Sequence, residues 1–169
     1  MTDQIDTENP QLRIFREALQ HHQEGRMSEA DACYRQLLMS DPNNGTVFNL
    51  LGVLCCQTGR SREALHCFQR AVAVAPELAA ARNNLGTMRL DSGDLVEAES
   101  DFSLAIRIDP TYAEAYYNLG CTLRQQLGYY CPSPEIVKSA QRLLLSLLCN
   151  LTPENRIGKS GDQSINVNF

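Results

Sequence analysis

The stretch that decides the fold is residues 78–110, LAAARNNLGTMRLDSGDLVEAESDFSLAIRIDP. Its small and apolar residues, Leu85, Gly86, Ala98, Phe102 and Ala105 among them, recur at helical spacing on either side of Ser92-Gly93-Asp94. That pattern predicts two helices, 78–91 and 95–108, with a glycine turn between them and Pro110 at the close.

Stepping outward by 34 residues finds the same residue types again. Ala18, Gly52, Gly86 and Gly120 fall in register, as do Gly25, Gly59 and Gly93, and Glu29, Glu63 and Glu97. So do Ala30, Ala64 and Ala98, then Tyr34, Phe68 and Phe102, then Leu37, Ala71 and Ala105, with Pro42, Pro76 and Pro110 closing each unit. Self-similarity at a fixed period of this length is the mark of a repeat array. The expected helices are 10–23, 27–40, 44–57, 61–74, 78–91, 95–108 and 112–126, with Ser28, Ser61 and Asp94 standing where N-caps belong. Gly25, Gly59 and Gly93 suit turns that need positive φ. Gly52, Gly86 and Gly120 lie inside helices, where glycine costs about 1 kcal/mol against alanine, so a close helix approach is expected there. Phe68 and Phe102 are expected to fill the larger gaps between successive units.

These residues resemble the tetratricopeptide repeat, whose period and signature they share over about residues 11–127. Phe48-Leu51-Gly52 and Tyr116-Leu119-Gly120 match its opening, and Ala64-Phe68-Ala71-Pro76 and Ala98-Phe102-Ala105-Pro110 its second half. The resemblance implies an all-α, right-handed α-solenoid of helix-turn-helix repeats with a C-terminal capping helix. The expected organisation is a disordered N-terminus over 1–9 and a solenoid of three full repeats plus the first helix of a fourth over 10–127. A divergent capping helix over 128–151 and a disordered tail over 152–169 follow. The register breaks after Leu127: Gly128 comes one residue late and Pro132 falls where alanine belongs. Ile136, Ala140, Leu143, Leu144, Leu147, Leu148 and Leu151 still form one helical stripe. That stripe either caps the last repeat or, in a shortened version of a longer protein, leaves apolar surface exposed.

Charge and composition narrow the function. The net charge is -5, and the 15 basic residues are scattered, which argues against a nucleic-acid surface. The N-terminus MTDQIDTENP has no apolar core, and no run approaches a membrane span, so a cytoplasmic location without direct membrane insertion is expected. The 7 cysteines form no CxxC pair and no zinc-ligand spacing, and read as small buried hydrophobes in a reducing compartment. Gly158-Lys159-Ser160 lacks the earlier glycine of a phosphate-binding loop. The 3 histidines read as surface residues and cannot assemble a nucleophile and a base. No enzyme activity, catalytic residue, metal or cofactor is expected.

The expected function is a non-catalytic protein–protein interaction module or adaptor. Within the resembled family the first helix of each pair lines a concave surface that binds a peptide or partner protein. By that resemblance the partner-binding residues are Asn49, Asn83, Asn84, Thr87, Tyr117, Asn118 and Cys121. Asn84 and Asn118 occupy equivalent slots, where an amide can both donate to and accept from an extended peptide backbone. Their arrangement resembles the asparagine ladder of protein O-linked N-acetylglucosamine transferases, shortened here because Leu50 and Arg16 fill the matching slots. The basic pair needed to clamp a C-terminal carboxylate is missing from these helix faces. The alternative is a truncated or short-isoform substrate-recognition region of a larger enzyme such as a protein O-glycosyltransferase. Self-association through an exposed C-terminal helix is a further expectation.

Overall fold

The computed structural model describes residues 9–128. Among them are seven α-helices and no strand: α1 Pro10–Gln23, α2 Met27–Ser40, α3 Gly45–Gln57, α4 Ser61–Val74, α5 Ala79–Ser92, α6 Leu95–Ile108 and α7 Ala113–Gln126. The helix bounds lie within one residue of those expected from the period. The capping helix and disordered tail expected beyond Gly128, and all but Asn9 of the expected N-terminal tail, fall outside the described residues.

Helix starts are set differently from expectation. Asn9 and Asn44 are the N-caps whose side chains bond the first turn, accepting from Gln11 N and Val47 N. Ser28 and Ser61 lie inside α2 and α4, whose N-cap residues are Arg26 and Arg60. Asp94 is the N-cap of α6 but makes no side-chain cap bond. The reason is the tight turn before each second helix. Gly25, Gly59 and Gly93 adopt φ of 75°, 74° and 84°, and the next residue donates back into the preceding helix: Arg26 N to His21 O, Arg60 N to Cys55 O, and Asp94 N to Arg89 O. This glycine closure satisfies the orphan carbonyls and leaves one residue to the next helix start.

Each second helix folds back on the first of its own unit, α2 on α1, α4 on α3 and α6 on α5, and then packs on the first helix of the next. First helices also touch one another, α3 with α5 and α5 with α7. The result is two layers, α1, α3, α5, α7 in one and α2, α4, α6 in the other, with an alanine-rich interior between them. Ala18, Ala30, Ala64, Ala71, Ala81, Ala98 and Ala105 are wholly buried. The close approach expected at the helical glycines is present at Gly52 and Gly86, where each meets the aromatic ring of its own unit. A Cβ at Gly52 would stand 2.5 Å from the Phe68 ring, and one at Gly86 would stand 2.7 Å from Phe102.

One interior slot differs between units. In the second unit Cys55 and Cys67 face each other across α3 and α4, both buried. In the third unit the equivalent positions hold Arg89 and Asp101. Arg89 Nη1 donates to Asp101 Oδ2 at 2.6 Å, and the Arg82 guanidinium lies 3.5 Å from Oδ1. Burial pushes the Asp101 carboxyl above its ordinary range, and the two guanidiniums offset this only in part.

Candidate functional site

The seven residues expected to bind a partner lie on α3, α5 and α7, the first-helix layer. They are not presented equally. Asn84, Thr87, Tyr117 and Asn118 are half-buried; Asn49, Asn83 and Cys121 are buried, Asn83 with no accessible surface. The buried amides orient the half-buried ones. Asn84 Nδ2 donates to Asn49 Oδ1 at 2.8 Å, and Asn118 Nδ2 donates to Asn83 Oδ1 at 2.9 Å, with Thr87 Oγ1 3.4 Å away. The Thr87 hydroxyl itself donates to the Asn83 carbonyl at 3.0 Å.

Each amide bond spans 35 residues, one more than the repeat, and ties one first helix to the next. The bonds fix the side-chain torsions of Asn84 and Asn118 before any ligand arrives. They also leave the Oδ1 acceptor of each without a partner among the described residues, on two successive units. Two fixed acceptors one repeat apart can receive backbone N–H groups from an extended chain.

A third link lies at the start of the array. His22 Nε2 stands 2.8 Å from Gln57 Oε1, again 35 residues on, and Nδ1 stands 3.1 Å from the hydroxyl of the wholly buried Tyr34. The expectation of surface histidines therefore fails for His22, which joins the first unit to the second, and for His21, whose Nδ1 is buried. Only His66 is exposed. No period-based reading could find these links, because their partners sit off the repeat register.

The cysteines divide as well. Cys33, Cys55, Cys56 and Cys67 are free thiols, but Cys56 is exposed rather than buried, with its Sγ 3.6 Å from Met88 Sδ. Cys33 is half-buried, and Cys55, Cys67 and Cys121 are buried, as expected of small space-filling residues. Burial, helped by Glu63, pushes the Cys55 thiol up to about 12, and burial raises Cys67 as well. Among the described residues no group of three His, Cys, Asp or Glu could hold a metal.

The second-helix layer carries its own charge arrangement. Arg35 pairs with Asp31 and Glu63, and Arg60 donates to Asp31 at 2.7 Å and to Glu63 at 3.0 Å, which closes a quartet across α2 and α4. Burial alone would raise the Asp31 carboxyl, but Arg35 and Arg60 outweigh it and hold it low; Arg35 does the same for Glu63.

Three family models, each described as a tetratricopeptide repeat, match residues 15–44, 56–113 and 102–129, together more than half of the chain. The chain belongs to the tetratricopeptide-repeat family. A comparison with curated protein sequences returns no match. Solved tetratricopeptide structures similar to it include the first such domain of Spaghetti (RPAP3) bound to the HSP90 peptide SRMEEVD, with 20% identity and a TM-score of 0.65 over 69% of this chain and 93% of that one. The Sgt2 domain from Aspergillus fumigatus has 17% identity and a TM-score of 0.64 over 95% and 90%. The Thermobaculum terrenum O-GlcNAc transferase has 24% identity and a TM-score of 0.62 over 68% of this chain, which spans only 22% of the transferase. The all-helical tetratricopeptide solenoid is thereby shown, and such arrays are protein-interaction modules. No helix among the described residues is long and apolar enough to cross a membrane.

Proposed function

We propose that this tetratricopeptide array is a non-catalytic adaptor that binds an extended polypeptide segment along its first-helix layer, across α3, α5 and α7, in the cytoplasm. The observation that carries the reading is the pair of pre-set amides. Asn84 and Asn118 are each held by a neighbour's amide, and among the described residues each keeps one unpaired acceptor. Because an amide reads backbone rather than side chain, binding is tolerant of sequence, and Thr87 and Tyr117 supply the adjoining contacts. Asn49, Asn83 and Cys121 act from beneath, as supports for the surface. The RPAP3 domain was solved with a peptide, which supports a peptide as the ligand class. The carboxylate-clamp mode stays disfavoured here, since its basic pair is missing and Phe15, Leu19 and Val53 stand among the slots where it would begin.

The test is affinity selection of C-amidated peptides on the full chain, followed by titration of the best binder against Asn84→Ala/Asn118→Ala. The double variant is expected to weaken binding by about tenfold or more while helical circular dichroism stays unchanged. Unchanged affinity refutes the ladder. A second reading, a substrate-recognition region of a larger glycosyltransferase, draws on the likeness to the Thermobaculum enzyme. It predicts that the selected peptides are glycosylation acceptors of such an enzyme.

A further inference from the structure

We propose that the second-helix layer carries a separate docking surface, at the cleft between α2 and α4, and that it receives an acidic partner segment presenting one large apolar side chain. The cleft measures about 450 Å³ and is walled by Leu38 and Met39 of α2, Phe48 and Leu51 of α3, and His66 and Cys67 of α4, with the Arg35–Glu63 ion pair completing its lining. A cavity of that size admits a whole side chain, and thioether and aromatic walls adapt to its shape. Met39 stands at the rim 85% exposed, on a layer whose other apolar residues mostly face inward.

The charge beside the cleft points to an acidic occupant. Arg62, His66 and Arg70 follow one another at four-residue steps along the exposed side of α4, so they form one stripe. One period earlier the same positions hold Ser28, Ala32 and Gln36, and one period later Val96, Ser100 and Leu104. The stripe therefore belongs to the second unit alone and is not a solubilising pattern common to the array. Glu63, which lines the cleft, and Asp31 are already engaged by Arg35 and Arg60 in a quartet with no net charge. Arg70 instead lies over the Phe48 ring, 5.5 Å from its centre, which sets its guanidinium at the edge of the cleft. In a chain of net charge -5, a local basic stripe joined to an apolar cleft selects a partner of opposite charge. Guanidiniums would take carboxylates at the rim while an apolar anchor fills the cleft. This surface shares no residue with the amides of α3, α5 and α7, so it stands or falls apart from the adaptor reading.

The test uses the full chain, isotope-labelled for NMR, and a short N-acetylated, C-amidated peptide of Glu and Ala with a central Phe-Leu pair. Matched probes replace Glu by Lys, or Phe-Leu by Ser. The expected result is amide shift changes clustered at Met39, His66 and Arg70, and about tenfold weaker binding for Arg62→Glu/Arg70→Glu. Comparable weakening is expected for Met39→Ser and for the serine probe, no binding of the Lys probe, and no effect of Asn84→Ala/Asn118→Ala. All three altered α2 and α4 residues are exposed, so loss of fold does not enter. Shifts confined to α5 and α7, equal binding of the Lys probe, or no shift at millimolar peptide overturns the proposal. So does a concentration-dependent dimer abolished by Arg62→Glu/Arg70→Glu, which would make a second copy the occupant.

Discussion

Equivalent glycines in this array should respond to one substitution with opposite signs. Alanine in place of glycine inside a helix stabilises by about 1 kcal/mol when the new methyl meets nothing. At Gly120 a Cβ has no atom within 4 Å among the described residues, so Gly120→Ala is expected to gain about 1 kcal/mol. At Gly52 the same Cβ would lie 2.5, 2.7 and 2.9 Å from three atoms of the Phe68 ring. That ring is 2% exposed and cannot swing into solvent. Overpacking of a filled core costs about 1–3 kcal/mol, and three contacts this short place Gly52 at the upper end. The net loss for Gly52→Ala is then about 2 kcal/mol, and for Gly86→Ala, whose contacts with Phe102 start at 2.7 Å, about 1 kcal/mol. For a chain of this size 1 kcal/mol moves Tm by about 3 °C. Thermal unfolding followed by circular dichroism should rank the proteins Gly120→Ala, wild type, Gly86→Ala, Gly52→Ala from most to least stable. Adding Phe68→Leu to Gly52→Ala should recover stability relative to the sum of the two single changes. A Gly52→Ala protein as stable as the wild type, or a Gly120→Ala protein less stable, would refute the packing argument.

Three further outcomes follow from the charges and thiols. Arg89→Ala should cost about 2–3 kcal/mol, because it leaves the buried Asp101 carboxylate with only Arg82, whereas Arg89→Cys/Asp101→Cys, which copies the second unit, should lie near wild type in urea unfolding. Asp31 and Glu63 titrate low in the folded state, so their contribution is present above their unfolded values, 3.8 and 4.5, and is lost as pH falls. Asp31→Asn/Glu63→Gln should therefore flatten the loss of urea midpoint between about pH 5 and 3, by about 1 kcal/mol at most given their exposure, while Asp101, titrating high, works the other way and favours the fold as it protonates. Alkylation of the native protein read by mass spectrometry should modify exposed Cys56 before Cys55 and Cys67, whose thiols are buried and raised; equal labelling rates would contradict their burial.

Much of the fold is legible in the sequence because the period is carried by residue types with few substitutes. Glycine at positive φ at positions 25, 59 and 93, and a small residue facing an aromatic ring at 52 and 86, leave their mark directly. The candidate groove is legible only as far as the positions of Asn84 and Asn118. Which atoms they present depends on how far one first helix is rotated against the next, and that rotation is what brings residue 84 to 49 and 118 to 83. The same holds for His22, whose partners Tyr34 and Gln57 come from two other helices. Serine at positions 28 and 61 looks like a cap in the sequence, but the preceding glycine turn already supplies the closure that a cap would give.

An array of near-identical units has a hazard of its own: a helix can find the right kind of partner in the wrong unit and assemble one repeat out of step. The interior slot held by Cys55 and Cys67 in one unit and by Arg89 and Asp101 in the next guards against this. Were α6 to fold onto α3, Asp101 would meet the Cys55 thiol and the Phe48 ring, with neither Arg89 nor Arg82 at hand, and a buried carboxylate without its partner costs about 3–5 kcal/mol. The slot thus works as a key that fits one lock, so the order of the units is written into the interior as well as into the connecting loops.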